Sequence, residues 1–455
     1  MPKRSLRRPR LRARLRWPAL LLALLPALLG PLPTAAATPA EPPSTVIMIS
    51  LDGTRPVDAL GTGLLPSLEA LAARGAVAER LVPPFPSNTF PSHVTLVTGV
   101  APERHAIVNN TFYDAERGLF DKRDIPSWIE VEPLWSLLAA EGIPSASFHW
   151  VGSEGAWRSG RGPRHWRPFD KGVSEMTKVR TILGWLDLAD TRDRPRFVTA
   201  WFRGADGPGH KHGPGSEPAR RSLARQEPAV AALIQGIAER GLWPSTTVFV
   251  VSDHGMASAS HRVDLDGALE QAGLKAWVVG IGGFAQVYLL AKDEDARRVD
   301  AARVVKIAQG LGLEARFRPD AEPELRVAHP RFGDVVVWSP RGSAMVLKRE
   351  QREAGFHGYR PEHPDMGALF VAAGRGIAPG VSLASVRAVD VAPTLLALLG
   401  VARPDWMEGR VIAGLGSLGA GPPGGDGARS AASATISHPG AGDLEYRKAG
   451  VPEVQ

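Results

Sequence analysis

Three apolar runs, each leading to an aspartate, constrain most strongly what this chain folds into. "TVIMISLDG" stops at Asp52, "RFVTAWFRGAD" leads to Asp206, and "STTVFVVSDHG" leads to Asp253. "GALFVAAGRG" is a fourth run of the same kind. A strand with water on one side alternates apolar and polar residues. A run without alternation is buried on both faces, as in a parallel sheet covered by helices. Segments with helical spacing, such as "PSLEALAARGAVAERLV", lie between the runs. The expectation is an α/β fold with a mostly parallel central sheet flanked by helices. In such sheets ligands bind beyond the carboxyl ends of the strands, so three acids distant in sequence are expected along one edge. Each aspartate alone reads as a strand-end turn. Their coincidence points to a site.

The 455 residues suffice for one large domain or two to three small ones, and 44% hydrophobic residues support a real core. Ordered sequence is expected over 45–414. The stretch 256–352 shows strand, strand, helix and further strands, which predicts a small inserted α+β subdomain. Residues 415–455 are dominated by Gly, Ala, Ser and Pro. They carry too little apolar surface to offset the entropy of ordering, so a disordered tail is expected there.

The net charge of +7 is concentrated at the start, where "MPKRSLRRPRLRARLRW" holds no acidic residue. A basic arm for nucleic acid is one reading. The apolar "PALLLALLPALLG" and the small residues Ala35-Ala36-Ala37 favour a secretory signal peptide over 1–37, with 38–44 a linker. Broken by Pro26, the run is too short for a good membrane span. The expectation is an exported protein, periplasmic or secreted, with no stable membrane anchor after cleavage and no nucleic-acid partner. N-terminal sequencing of exported protein separates the readings, since an intact Met1 start revives the basic arm. The chain has no cysteine. That removes disulfides, thiolate ligands and cysteine nucleophiles, and leaves any metal to His and carboxylates.

"PFPSNTFPSH" places Thr89 in a stiff approach to the helix-like run "VTLVTGV". An N-cap and a nucleophile both fit such a threonine, and the segment alone leaves the choice open. "GADGPGHKHGP" sets Asp206 and His210 four positions apart, "VSDHGM" pairs Asp253 with His254, and "GFHGYRP" adds His357. Three carboxylates and three imidazoles suit a pair of zinc-like ions.

Taken in order, with "NTFPSHVTLVTGVAPERHAIVNNTFYD", "WVGSE", "ILGWLDL", "DGPGHKHGP", "HPRFGDVVVW" and "HGYRPEHPDMGALFVAAG", these motifs resemble the nucleotide pyrophosphatase/phosphodiesterase family of the alkaline phosphatase superfamily, the type I phosphodiesterases. The resemblance runs from about Val46 to Gly409. It implies an alkaline-phosphatase-like core and a site for two divalent ions, most simply zinc. One ion is expected on Asp206, His210 and His357. The other is expected on Asp52, Asp253 and His254, with Thr89 as its nucleophilic ligand and the carrier of a covalent phosphothreonine-type intermediate. Asn110, rather than Asn109, matches the family asparagine that donates to a phosphoryl oxygen. Phe90 matches an aromatic that flanks a nucleobase, and Trp166 and Phe169 are candidates for the opposite wall. The implied substrate is a small nucleotide or another phosphodiester.

The alternatives are a phosphate monoesterase or a phospholipid or phosphonate hydrolase of the same superfamily, and a catalytically inert binding protein on the same fold. His93, His105, His212 and His363 lie near the motifs but off the ligand positions. The chain departs from the family at Ser92, where Asn is usual, and at Ala106, where Gly is usual. Arg158, Arg161 and Arg164 read either as a solvated face or as contacts for further phosphates.

Overall fold

The computed structural model of the chain describes residues 45–347 and 353–416. The expected signal peptide and linker, and residues 417–455 of the expected tail, lie outside the described residues. At the other end of the described chain, Leu415 is fully buried in the core and its carbonyl accepts from Ala378 N at 2.6 Å. The ordered chain therefore continues past 414, the limit set from composition, because one leucine in a glycine-rich stretch finds an apolar seat.

The central sheet has eight strands: β1 (Thr45–Leu51), β2 (Ala76–Ala78), β3 (Ser145–Phe148), β4 (His165–Arg167), β5 (Phe197–Phe202), β6 (Thr246–Val251), β7 (Phe370–Gly374) and β8 (Val381–Leu383). Their order across the sheet is β8-β2-β7-β6-β1-β5-β3-β4. β1 pairs in parallel with both β5 and β6, and β3 with both β5 and β4. β7, the fourth apolar run, is antiparallel to β6 and β2. Burial on both faces makes a run uniformly apolar whichever way it points, so the pattern carries no direction.

The absence of alternation has a visible cause. Along β1, Val46 and Met48 enter one core while Ile47, Ile49 and Leu51 enter another. The first core lies under the helices Leu134–Ala140 and Val391–Leu399, and the second under Pro66–Ala73, Glu175–Leu186 and Glu227–Glu239. Each fully buried Val, Leu or Ile contributes about 1.5–3 kcal/mol to this three-layer packing. Among the described residues no helix is long and apolar enough to cross a membrane.

Within the stretch 256–352 a four-stranded antiparallel sheet is built from Ala276–Val279, Phe284–Leu289, Val335–Trp338 and Glu314–Phe317, in that order. With the helices Leu265–Gln271 and Glu294–Gly310 it encloses an apolar cluster of its own. A further cluster joins its Phe284, Phe332 and Trp338 to Phe85 and Val94, on either side of Thr89. The inserted unit is thus packed against the segment that carries the candidate nucleophile.

Candidate active site

The three aspartates sit past the ends of three adjacent strands, β5, β1 and β6, at the centre of the sheet. Asp52 follows β1 directly, and Gly53 then turns the chain with φ +61°. A Cβ on Gly53 would stand 2.9 Å from both Cα and Cβ of Asp206, so glycine is what lets the two acidic loops close on each other. Gly53 N donates to Asp253 Oδ1 at 3.1 Å, which draws in the third loop. Asp206 opens helix α2 (Asp206–His212), and the i,i+4 spacing brings His210 Nε2 to 3.3 Å from its Oδ1.

Thr89 is the first residue of helix α1 (Thr89–Thr98), and Asn88 is its N-cap. Asn88 makes no side-chain cap, because its carboxamide is engaged by His357 and Asn109. Pro91 is tolerated in this first turn, where its missing N–H has no helical partner to lose. The Thr89 hydroxyl lies 3.2 Å from His254 Nε2. That ring nitrogen is 3.2 Å from Asp253 Oδ2 and 3.6 Å from Asp52 Oδ1. The rings of His254 and His357 stack at 3.8 Å, and His357 Nε2 is 4.0 Å from Asp206 Oδ1.

All three imidazoles are oriented alike. Nδ1 of His210 faces the carbonyl of Gly355 (2.9 Å), that of His254 the carbonyl of Gly255 (2.8 Å), and that of His357 the carbonyl of Ser87 (3.2 Å). A carbonyl only accepts, so each ring carries a proton on Nδ1 and has Nε2 as the nitrogen that faces the acids and would meet a metal. This is the usual preparation of a histidine for a metal.

The acids complete the fit. Oδ1 of Asp52, Oδ1 of Asp206 and Oδ2 of Asp253 are buried and have no hydrogen-bond partner among the described residues. Ligand atoms of Asp206, His210 and His357 lie within 4.8 Å of one another, as do those of Asp52, Asp206 and His254. A mixed nitrogen and oxygen donor set of this kind suits zinc or a similar divalent ion. Burial, with Asp253 and Asp206 alongside, pushes the Asp52 carboxyl well above its usual range. Burial alone would raise Asp206 too, but the His210, His357 and His254 rings hold it below the usual range. Asp206 in turn outweighs burial at His210, which is pushed up to about 9.

Asn110 Oδ1 accepts from Phe90 N at 2.8 Å, on the first turn of α1, which leaves its NH2 as the donor available near Thr89. Asn109 is buried and tied to Asn88 and Gln286. Phe90 meets Phe120 edge-on at 6.1 Å, with Lys122 Nζ 5.1 Å from its ring. Phe169, 55% exposed, lies 5.1 Å from the Trp201 ring at the rim of the acidic cluster. Trp166 stands on the edge strand β4 and makes no ring contact with a site residue among the described residues.

His93 Nδ1 donates to the Thr89 carbonyl at 2.9 Å and lies 3.5 Å from Asp253 Oδ2, bracing the turn that carries Thr89. His105 accepts from Ile107 N, His363 accepts from Asp365 N, and His212 is exposed. The arginine cluster is engaged elsewhere: Arg158 approaches Glu130, Arg161 pairs with Glu132 and Arg164 with Asp193. Ala106 has φ +67°, the left-handed region that explains the family's glycine at that position.

The sequence reading did not single out Trp201 or Glu154. Trp201 donates its indole N–H to Asp52 Oδ2 at 2.8 Å. Its position five before Asp206, on the strand that leads there, is the only signal the sequence offered. Glu154, in "WVGSE", has a buried Oε2 without a hydrogen-bond partner, and burial pushes its carboxyl up to about 7. The folded protein therefore keeps a proton that the unfolded chain releases above the ordinary glutamate range. The contribution of Glu154 to stability falls as pH rises from about 4.5 to about 7, by on the order of 3 kcal/mol, and is level beyond. Glu154→Gln, which mimics the neutral acid, is expected to flatten that slope in urea unfolding between pH 5 and pH 8. An unchanged slope would place the titrating group elsewhere.

Comparison with known proteins follows this geometry. The profile of the family described as type I phosphodiesterase / nucleotide pyrophosphatase matches residues 46–360. A pyrophosphatase/phosphodiesterase of Schizosaccharomyces pombe, itself uncharacterized, is 37% identical over 73% of this chain and 71% of its own. Rat ectonucleotide pyrophosphatase/phosphodiesterase family member 3 is 28% identical over 73% of this chain, which spans 39% of that protein. A venom phosphodiesterase of Macrovipera lebetinus is 31% identical over 48% of this chain and 26% of its own. Human ectonucleotide pyrophosphatase/phosphodiesterase 5 superposes with a TM-score of 0.71, at 23% identity, over 79% of this chain and 96% of that one. The murine protein of the same name superposes equally well as an inactive threonine-to-alanine variant in complex with AMP.

Proposed function

This chain belongs to the type I phosphodiesterase / nucleotide pyrophosphatase family, hydrolases of phosphoric diester and pyrophosphate bonds, and from that premise we propose that it cleaves such bonds in nucleotides with Thr89 as nucleophile. The observation that carries the reading is the Thr89 hydroxyl, 3.2 Å from His254 Nε2 at the mouth of a helix, beside three acids with unpartnered buried oxygens. Asp206, His210 and His357 would hold one zinc ion, and Asp52, Asp253 and His254 the other. Bound there, the ions would lower the pKa of the hydroxyl and neutralise charge on the phosphoryl group.

The remaining work falls to the chain. The first turn of α1 favours negative charge on Thr89 Oγ1, and the His93 contact to its carbonyl holds the turn in line. Asn110 donates its NH2 to a non-bridging oxygen. The bond from Thr89 Oγ1 to phosphorus forms as the bond to the leaving oxygen breaks. Water then cleaves the phosphothreonine ester, returning the hydroxyl and releasing a nucleoside monophosphate. Phe90 and Phe169 offer flat apolar faces for a base, a contact worth about 1–3 kcal/mol in comparable cases. Arg158 lies near Glu130, Arg161 pairs with Glu132 and Arg164 with Asp193, which supports the reading of this cluster as a solvated face. The leader-like N-terminus and the ectoenzyme and venom relatives support action outside the cytoplasm.

Rates on the p-nitrophenyl ester of thymidine monophosphate and on p-nitrophenyl phosphate, measured side by side with zinc, test the proposal. The diester is expected to be cleaved faster by at least tenfold. A faster monoester would leave the ligand set standing but move the protein to the phosphatase branch.

A further inference from the structure

We propose that Gln286, on the inserted sheet, is a positioning residue for His357 and for the turn that carries Thr89, acting through a buried chain of carboxamides. The proposal rests on the reading of His357 as a metal ligand. Gln286 is fully buried in the strand Phe284–Leu289. Its Nε2 donates to the carbonyl of Arg331 at 2.8 Å, and its Oε1 accepts from Asn109 Nδ2 at 3.0 Å. Asn109 Oδ1 accepts from Asn88 Nδ2 and from the backbone N of Asn110, both at 2.7 Å. Asn88 Oδ1 accepts from His357 Nδ1 at 2.8 Å.

The direction of this chain is imposed from both ends. At one end the Arg331 carbonyl can only accept, so Gln286 must present its amide nitrogen there and its oxygen to Asn109. The same logic passes through Asn109 and Asn88 to His357. At the other end the Ser87 carbonyl, 3.2 Å from His357 Nδ1, requires a proton on that nitrogen independently. The two requirements agree, so no member can flip without setting buried donor against donor.

The anchor is itself held firmly. The Arg331 carbonyl also accepts from Tyr288 Oη at 2.6 Å. Its guanidinium is buried on Asp114, Glu130 and the carbonyls of Ala106 and Trp128. The backbone is shaped for the relay too. Gly358 has φ +89°, and a Cβ there would stand 2.7 Å from Asn88 Oδ1. A polar chain adds little to stability over apolar side chains of the same shape. What this one adds is a fixed orientation at the N-cap beside Thr89, at the Asn110 amide and at His357.

Gln286→Met keeps the length of the side chain and removes both hydrogen bonds. Zinc affinity, read by competition with a chromophoric chelator, is expected to fall about tenfold for one of the two ions, with kcat/KM falling in step. In an Asn88→Ala background, which severs the relay before His357, the same substitution is expected to add less than twofold. Equal losses in both backgrounds would mean general loosening and overturn the proposal, as would wild-type zinc affinity in Gln286→Met alone. If the methionine variant does not fold, Gln286→Leu, which removes the same two hydrogen bonds with a different apolar shape, carries the same two-background comparison. Wild-type protein that takes up no zinc overturns the metal reading as well, and that failure is seen before any substitution is made.

Discussion

Thr89→Ala is expected to lower turnover by on the order of 10⁴-fold or more while leaving both ions bound and the fold intact. The magnitude follows from the role: loss of a nucleophile removes the covalent step, and what survives comes from charge stabilisation and binding alone. The retained metal follows from geometry, because Asp52, Asp253 and His254 still converge without the hydroxyl. The retained fold follows from context. Alanine is the best helix former, and the Thr89 side chain makes a single hydrogen bond among the described residues, to His254, so stability is expected to shift by no more than about 1 kcal/mol. Single-turnover rates and zinc content, measured on the same preparation, decide the matter. Turnover within tenfold of wild type would mean that water or another residue attacks phosphorus.

Stripping the protein with a chelator is expected to abolish activity, with zinc restoring it and calcium failing to. Calcium takes six to eight oxygen ligands, and a site with three imidazoles offers too few. Stripping has a second expected effect. Without cations Asp52, Asp206 and Asp253 face one another, and burial with the neighbouring acids pushes Asp52 well above its usual range. The stripped protein is then held together in spite of its site. An ion present at a thousand times its Kd adds about 4 kcal/mol of stability, so the melting temperature is expected to drop on stripping and recover with zinc. Recovery with calcium alone, or activity that survives exhaustive chelation, would refute the ligand assignment.

The parts of this site legible in the sequence are those fixed by short-range chemistry. A strand that ends on Asp, an Asp-x-x-x-His helix turn and a Thr at a stiff helix start each declare themselves within a few residues. Burial on both faces declares the central strands, as Val46 and Ile47 show by entering opposite cores. Direction is a different matter. β7 carries the same pattern as β1 yet runs against its neighbours, because pairing depends on the connection and not on the strand. The supports of the site were illegible for a related reason. Trp201 meets Asp52 across 149 positions, and Asn109 meets Gln286 across 177. A lone Gln in an apolar strand carries no sign of its partner. Ala106 shows the reverse case, since its departure from glycine was visible at once and its meaning came only with a φ of +67°.

The proposed ligands are spread along the chain from Asp52 to His357, around strands whose spatial neighbours are remote in sequence. A chain emerging from the ribosome, or threading through a translocation channel, would therefore complete the Asp52, Asp253 and His254 set once His254 is through, and the Asp206, His210 and His357 set only with His357. When His357 is through, six of the eight sheet strands, the inserted unit and the turn that carries Thr89 are present, with β7 and β8 still to come. Under the proposed ligand sets the two ion sites would thus be completed in order, the Asp52 set first and the Asp206 set after the inserted unit has emerged.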